Sequence, residues 1–197
     1  TSALAMGFFD GDDALGISGG FATEVTAGLV HQADAVLVLG AGLNQFTTRF
    51  GHAFSPVAHV IQVDLAAGPT NPRVDTFLRG DAREVAGALH AALPAERAAA
   101  WERPPRADVV RRDEGDALAP DGRLDPRSAI RRIDALLPAD RVVVQDGGHF
   151  IGWGPMYLDI PAPDRLLLVG TAFQTIGLGL PSAVGAGRAR PESTIVL

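Results

Sequence analysis

The sequence predicts an α/β fold in which parallel sheets are flanked by helices, and three observations carry that expectation. Short apolar runs at Ala35–Leu39, Val60–Asp64, Arg141–Gln145 and Leu166–Val169 alternate with segments of helical spacing. Runs of this length, rich in valine and leucine, match strands of a parallel sheet covered on both faces. Glycines then follow the runs at Gly40-Ala41-Gly42, Gly80 and Gly147-Gly148, where a strand must hand the chain over to a helix. Strands alternating with helices need crossover connections, and these make the sheets parallel.

Each element has a local reason. Thr23 to Gln32 reads as a helix preceding the first strand, Ala35–Leu39, a buried parallel strand that meets a loop at Gly40-Ala41-Gly42. Val60–Asp64 is a second strand with a carboxylate at its C-terminal end. Phe77-Leu78 leads into Gly80-Asp81, and Asp81 can cap a helix from Ala82 to Leu93, with Val85, Leu89 and Leu93 at four-residue spacing. From Arg103 to Pro126 the composition shifts to Arg, Asp, Pro and Gly, as in a linker or a long surface excursion. Asp125-Pro126 is an N-cap followed by proline at the first helical position, so a helix follows from Arg127 to Leu137. The strand Arg141–Gln145 closes at Asp146-Gly147-Gly148-His149, and Leu166–Val169 leads into a glycine-rich stretch from Gly170 to Ala186.

Gly177, Gly179, Gly185 and Gly187 are too many for an ordinary helix, since each costs about 1 kcal/mol relative to alanine. Such glycines mark close approach of backbone to backbone or to a ligand. A last apolar run, Thr194–Leu197, reads as the beginning of a buried strand. The expected organisation is a first domain at 1–102, a linker at 103–124 and a second domain at 125–197. A start at Thr1 and a stop within an apolar run read as a piece of a longer chain.

Composition narrows the chemistry. The 197 residues are 47% hydrophobic, enough to bury a core, and the net charge of −6 argues against a nucleic-acid partner. All 17 basic residues are arginine, so Schiff-base lysine chemistry and a P-loop lysine are excluded. Without cysteine there is no disulfide, thiol nucleophile or thiolate metal site. No apolar run reaches the ~20 residues of a membrane span, and Thr1–Gly7 lacks the charged and apolar regions of a secretory signal. The default expectation is a cytoplasmic protein.

Two constellations could carry chemistry. Gly40-Ala41-Gly42-Leu43-Asn44, with Asp64 some twenty residues on, can bring backbone N–H groups to a pyrophosphate and a carboxylate to a ribose hydroxyl. Gln45 stands where the full dinucleotide pattern would continue, so a plain strand-to-helix turn fits equally. Gly147, Gly148 and His149 open a loop at the sheet edge where α/β folds bind ligands, and N–H groups there can hold phosphate oxygens. The alternative is a structural turn with a solvent-facing histidine. His31, His52, His59, His90 and His149 show no zinc spacing, and no Gly-x-Ser-x-Gly elbow is present. The acidic residues from Asp108 to Asp121 read as solvated charge, and Trp101, Trp153 and Tyr157 as packing residues.

The order of these pieces resembles the thiamine-diphosphate-dependent enzymes of the acetolactate synthase, benzaldehyde lyase and 2-hydroxyacyl-CoA lyase group. Ala33–Asn44 is similar to the strand and turn of that family's central domain, and His59–Asp64 and Gly80-Asp81-Ala82 to its next landmarks. Ile176-Gly-Leu-Gly-Leu-Pro-Ser-Ala-Val-Gly-Ala186 resembles the family's Met-Gly-x-Gly-Leu-Pro-Ala-Ala-Ile-Gly-Ala segment. The resemblance implies a Rossmann-like (DHS-like) central domain and part of a thiamine-diphosphate-binding domain. It implies that Gly147, Gly148 and His149 contact the cofactor's diphosphate. Ile176 would wedge the two cofactor rings into a V shape, and the backbone carbonyl of Gln174 would accept from the aminopyrimidine. No catalytic side chain is expected within this chain.

The family's glutamate would precede Thr1, and its Gly-Asp-Gly magnesium motif would follow Leu197, so this piece alone is expected to be inactive. A homodimer or homotetramer and a 2-oxo acid or acyloin substrate are implied. Gly40, Ala41, Gly42, Asn44, Arg49, Asp64 and Asp81 are candidate nucleotide contacts, with FAD, ADP or CoA, or an empty central domain, all left open. The family's Arg-rich pattern after the glycine turn is here Asn44-Gln-Phe-Thr-Thr-Arg49-Phe-Gly51, which keeps one cation. The leading expectation is acetolactate synthase-like C–C bond formation. A 2-hydroxyacyl-CoA lyase or 2-oxo acid decarboxylase comes second. Two rivals of another class are a non-catalytic nucleotide-binding module of sirtuin-like fold and a degenerate paralogue.

Overall fold

The structure is a computed structural model that describes residues 1–94, 102–169 and 175–197. Trp101 and Gln174 lie outside the described residues. The chain forms two compact units, one of Ser2 and Ser18–Val109, the other of Thr1, Ala3–Ile17 and Val110–Leu197.

The first unit is built on a three-stranded parallel sheet ordered β1 (Ala35–Leu39), β2 (His59–Asp64), β3 (Thr76–Arg79). Helix α1 (Glu24–His31) precedes β1 and is capped by the Thr23 side chain, which accepts from the Thr26 N–H. Helix α2 (Ala82–Ala92) follows β3, and Asp81 caps it by accepting from the N–H groups of Arg83 and Glu84. The central strand β2 fits the expectation of a buried run, with Val60, Gln62 and Val63 fully enclosed. Leu43, Ala53, Phe54 and Val60 form the core, with Val30, Val36, Val38 and Val74 packed on it.

β1 departs from the expected buried strand. It lies at the edge of the sheet, paired only with β2, and its residues alternate between half-buried and exposed. Val36 and Val38 face the core, whereas Leu37 and Leu39 remain 42% and 39% exposed. A strand covered on one face alone keeps only its alternate side chains from water.

The second unit holds another three-stranded parallel sheet, ordered β5 (Leu166–Leu168), β4 (Arg141–Gln145), β6 (Thr194–Val196). Before it come α3 (Arg106–Val110) and α4 (Pro126–Asp134); α5 (Trp153–Tyr157) lies between β4 and β5, and α6 (Gly179–Ala189) between β5 and β6. Val143, Ile160 and Leu166 form its core, with Met6, Leu158, Leu168 and Val196 against them. The glycine-rich stretch is helical from Gly179 despite the number of its glycines. A small residue lets the helix start close to the sheet: a Cβ added at Gly179 would lie 2.8 Å from Leu197 Cδ1.

Charge fixes the ends of α4. At its start Asp125 is buried, caps the Arg127 N–H at 2.9 Å, and receives the Arg127 guanidinium at 2.5–3.2 Å. The backbone at Gly115 (φ +67°) closes so tightly on this carboxylate that a Cβ there would sit 2.8 Å from it. Asp113 and Glu114, expected to be merely solvated, are exposed but paired with Arg127 and Arg131. At the other end, buried Arg141 donates to Asp134 Oδ1 at 2.8 Å and to the backbone carbonyls of Pro138 and Asp159, both at 2.9 Å.

Hydrogen bonding from Arg127 holds the Asp125 carboxyl down at about 2. A group whose folded pKa is depressed stabilises the fold above its unfolded value, about 4, and loses that contribution as pH falls towards its folded value. Between about pH 4 and pH 2 the wild-type protein should therefore lose stability that an Asp125→Asn variant never had, a difference readable from denaturant midpoints across that window.

Candidate functional site

β4 lies centrally, with β5 on one side and β6 on the other, so the loop leaving its C-terminal end opens where the strand order reverses. Parallel α/β sheets place ligands at such a point. That loop is Asp146-Gly147-Gly148-His149. Gly147 is buried and donates its N–H to Asp146 Oδ1 at 2.7 Å. Gly148 is half-buried with φ +131°, a backbone conformation glycine takes without strain, and His149 is exposed. The N–H groups of Gly148 and His149 have no hydrogen-bond partner among the described residues. These two, rather than Gly147, are thus the amides of the loop without an internal partner among the described residues.

The same carboxylate reaches a second segment. The Gly177 N–H donates to both Asp146 oxygens, at 3.0 and 2.9 Å, across 31 residues of sequence. Gly177 has φ +102°, and two residues later α6 begins. A Cβ at Gly179 would lie 2.8 Å from both the Asp146 Cβ and Leu197 Cδ1, so this side chain is absent for lack of space. Leu178, at the N-cap of α6, offers no capping group, and Asp146 brings its negative charge to this helix end instead. Ile176 stands just before the turn with 73% of its surface exposed. The structure therefore joins the loop at Gly147–His149 to the turn at Ile176-Gly177, two of the places the sequence singled out.

The second constellation is held by side chains whose role the sequence did not reveal. Gly40 (φ +62°) extends the ladder by donating to the Val63 carbonyl at 2.9 Å, and a Cβ there would sit 3.2 Å from Ala82. Gln62, fully buried on β2, donates to the Ala41 carbonyl at 3.0 Å and to Thr70 Oγ1 at 2.6 Å, and accepts from the Thr70 N–H at 3.0 Å. Thr70 Oγ1 in turn accepts from the Leu43 N–H at 2.8 Å. Asn44 is exposed and closes a local turn, its Oδ1 accepting from the N–H groups of Phe46 and Thr47. The N–H groups of Ala41 and Gly42 have no partner among the described residues. A glutamine inside an apolar run was the available signal: alternation puts Gln62 on the same side as buried Val60, where an amide needs partners.

The remaining candidates are engaged within the protein. Asp64 Oδ1 accepts from the Ala66 N–H, and Asp81 caps α2. Gly80 donates to the Asp64 carbonyl, so Asp64, Asp81 and Gly40 share the C-terminal edge of the sheet. Arg49 pairs with Glu24 at 2.6 Å, and its hydrogen bond keeps the Glu24 carboxyl below its usual range. Arg49 and Phe50 both have left-handed backbone, φ +52° and +55°, held by the Phe50 N–H donating to the Gln45 carbonyl. Among the described residues no cluster of three or more His, Asp or Glu side chains could hold a metal ion. No described helix is long and apolar enough to cross a membrane.

Comparison with known proteins follows the same lines. Residues 1–89 match the family model described as thiamine pyrophosphate enzyme, central domain. Sulfoacetaldehyde acetyltransferase of Rhodobacter capsulatus is 33% identical, over 85% of this chain and 33% of its own length. The large subunit of acetolactate synthase isozyme 2 of Escherichia coli is 29% identical, over 92% of this chain and 33% of its own. The chain thus spans about a third of the length of these relatives. Among solved structures, the thiamine diphosphate-dependent 4-hydroxybenzoylformate decarboxylase of Rhodococcus jostii RHA1 shares the fold, with a TM-score of 0.59 and 19% identity over 86% of this chain and 31% of that one.

Two outcomes test these placements by denaturant unfolding. Gln62→Leu fills the same space but strips Ala41 and Thr70 of their partner, and should cost roughly 1–3 kcal/mol for each group left unpaired. Gly179→Ala would ordinarily gain up to about 1 kcal/mol in a helix, yet the crowding against Asp146 should reverse the sign. A stabilised Gly179→Ala protein would contradict the packing described.

Proposed function

The chain belongs to the thiamine pyrophosphate-dependent enzymes, and from that membership we propose that it is part of an enzyme that makes or breaks a C–C bond next to a carbonyl. Its substrates are 2-oxo acids, and the favoured reaction is carboligation of the acetolactate synthase type. What supports the reading is one arrangement: an amide-lined loop and an exposed apolar residue tied together by a single carboxylate at the C-terminal edge of a parallel sheet.

The residues present fit thiamine diphosphate. The Gly148 and His149 N–H groups suit diphosphate oxygens, because they are accessible and unpartnered among the described residues. Gly147 serves by tying the start of the loop to Asp146. Ile176 presents a branched apolar surface suited to supporting a ring system, and the turn at Gly177 holds it ahead of α6. When bound, the cofactor supplies a nucleophilic carbon and an electron sink. The chain's own part is to bind and orient it, with magnesium proposed as the counter-ion of the diphosphate.

The sequence-level rivals fare differently. A nucleotide-binding module without catalysis gives no reason for the second loop, or for its link to Ile176. FAD or ADP remains a proposal for the Gly40–Asn44 turn, supported by the unpartnered N–H groups of Ala41 and Gly42. Thiamine diphosphate titrated into the intact protein, followed by product analysis with pyruvate, tests the main reading. Acetolactate supports carboligation, acetaldehyde alone points to a decarboxylase, and failure to bind the cofactor refutes it. Ile176→Ala should lower turnover by about 10²-fold, the scale at which small misplacements act, while shifting the thermal midpoint little. Unchanged turnover would remove the role given to Ile176.

A further inference from the structure

We propose that Asp146 is a positioning residue, whose carboxylate clamps the loop after β4 to the turn before α6 and so fixes Ile176 relative to the amides of Gly148 and His149. The inference rests on the thiamine-diphosphate reading and extends it to a side chain that would not itself touch the cofactor.

The chemistry of the clamp follows from its contacts. One oxygen accepts from Gly147 at 2.7 Å and from Gly177 at 3.0 Å; the other accepts from Gly177 at 2.9 Å. Hydrogen bonds to an ionised acceptor are roughly twice as strong as neutral ones. Two segments 31 residues apart are thus bound to one rigid group. Both partners are glycines. At Gly177 the φ of +102° demands it, and Gly147 is buried with its N–H on the preceding side chain. A third glycine, Gly179, leaves the room that the Asp146 Cβ and Cγ occupy beside the start of α6.

The clamp also divides the labour among the amides. Because Gly147 is satisfied inside the protein, the next two N–H groups are the ones the loop leaves unpartnered among the described residues. An anion bound by those amides needs no rearrangement of Asp146. A dangling carboxylate beside the same anion would repel it. Holding the negative charge on the Gly147 and Gly177 amides therefore helps binding twice, by orienting the loop and by occupying the carboxylate.

The test compares Asp146→Ala and Asp146→Asn in the intact protein. Asparagine keeps the shape and one acceptor oxygen, but sets an NH2 group against a backbone donor. Hydrogen exchange across 175–180, measured without cofactor, should become about tenfold faster or more at Gly177 in the alanine variant, with asparagine intermediate. Thiamine diphosphate should bind about tenfold more weakly to the alanine variant, while circular dichroism and the thermal midpoint stay near wild type. Unchanged exchange at Gly177 would overturn the clamp, and so would faster exchange with unaltered cofactor affinity. Unfolding of both variants would also overturn it, assigning Asp146 to folding rather than positioning. Wild-type protein that takes up no thiamine diphosphate would refute the cofactor reading separately; faster exchange in the variants would then still uphold the link between loop and turn.

Discussion

Parallel strand pairing is the constraint on which the rest of the molecule depends. In both sheets every described pairing is parallel, so the C-terminal ends of the strands in each sheet share one edge. Everything with chemical potential lies at such an edge: the turn after β1, the carboxylate at the end of β2, the cap before α2 and the loop after β4. Parallel strands also oblige the chain to leave the sheet and return, and those departures are where glycine is placed. The backbone at these exits would be loose without further support.

That support comes from single polar side chains at the strand ends. Gln62 reaches from within β2 to the carbonyl of the neighbouring turn and binds Thr70 at the same time. Asp146 does the same at the end of β4, through two amides instead of a carbonyl and a hydroxyl. In each unit one side chain thus stiffens the loops about it without entering the space where a ligand would lie. Gln62 also needs every partner it has, because a buried polar group without one is costly.

Much of this was legible in the sequence, for identifiable reasons. Caps at Thr23, Asp81 and Asp125 are local chemistry, and all three hold their helices as their residue types require. Strand runs were legible because hydrophobic length and flanking glycine are local too. The exposed face of β1 was not, since the number of neighbours a strand has is written nowhere in the strand itself. Neither was the partner of Gly179, because the cost of a helical glycine is local while its contact, Asp146, is 33 positions away by sequence number. The loop at Gly147 and the residue at Ile176 could each be singled out, but only the fold joins them.

The absent side chain at Gly179 has a consequence for how such proteins can vary. Its room is taken by the Cβ of residue 146, so the two positions are not free to drift independently. A larger residue at 179 demands glycine at 146 and a shift of the Leu197 side chain, and glycine has no carboxylate to hold Gly177. Gly177, locked by its own backbone angle, can answer neither change. Aspartate and the two glycines therefore form a unit of inheritance. Among related chains they should be kept together or lost together, and a lineage that abandons one of them has to find another way to seat the residue before α6.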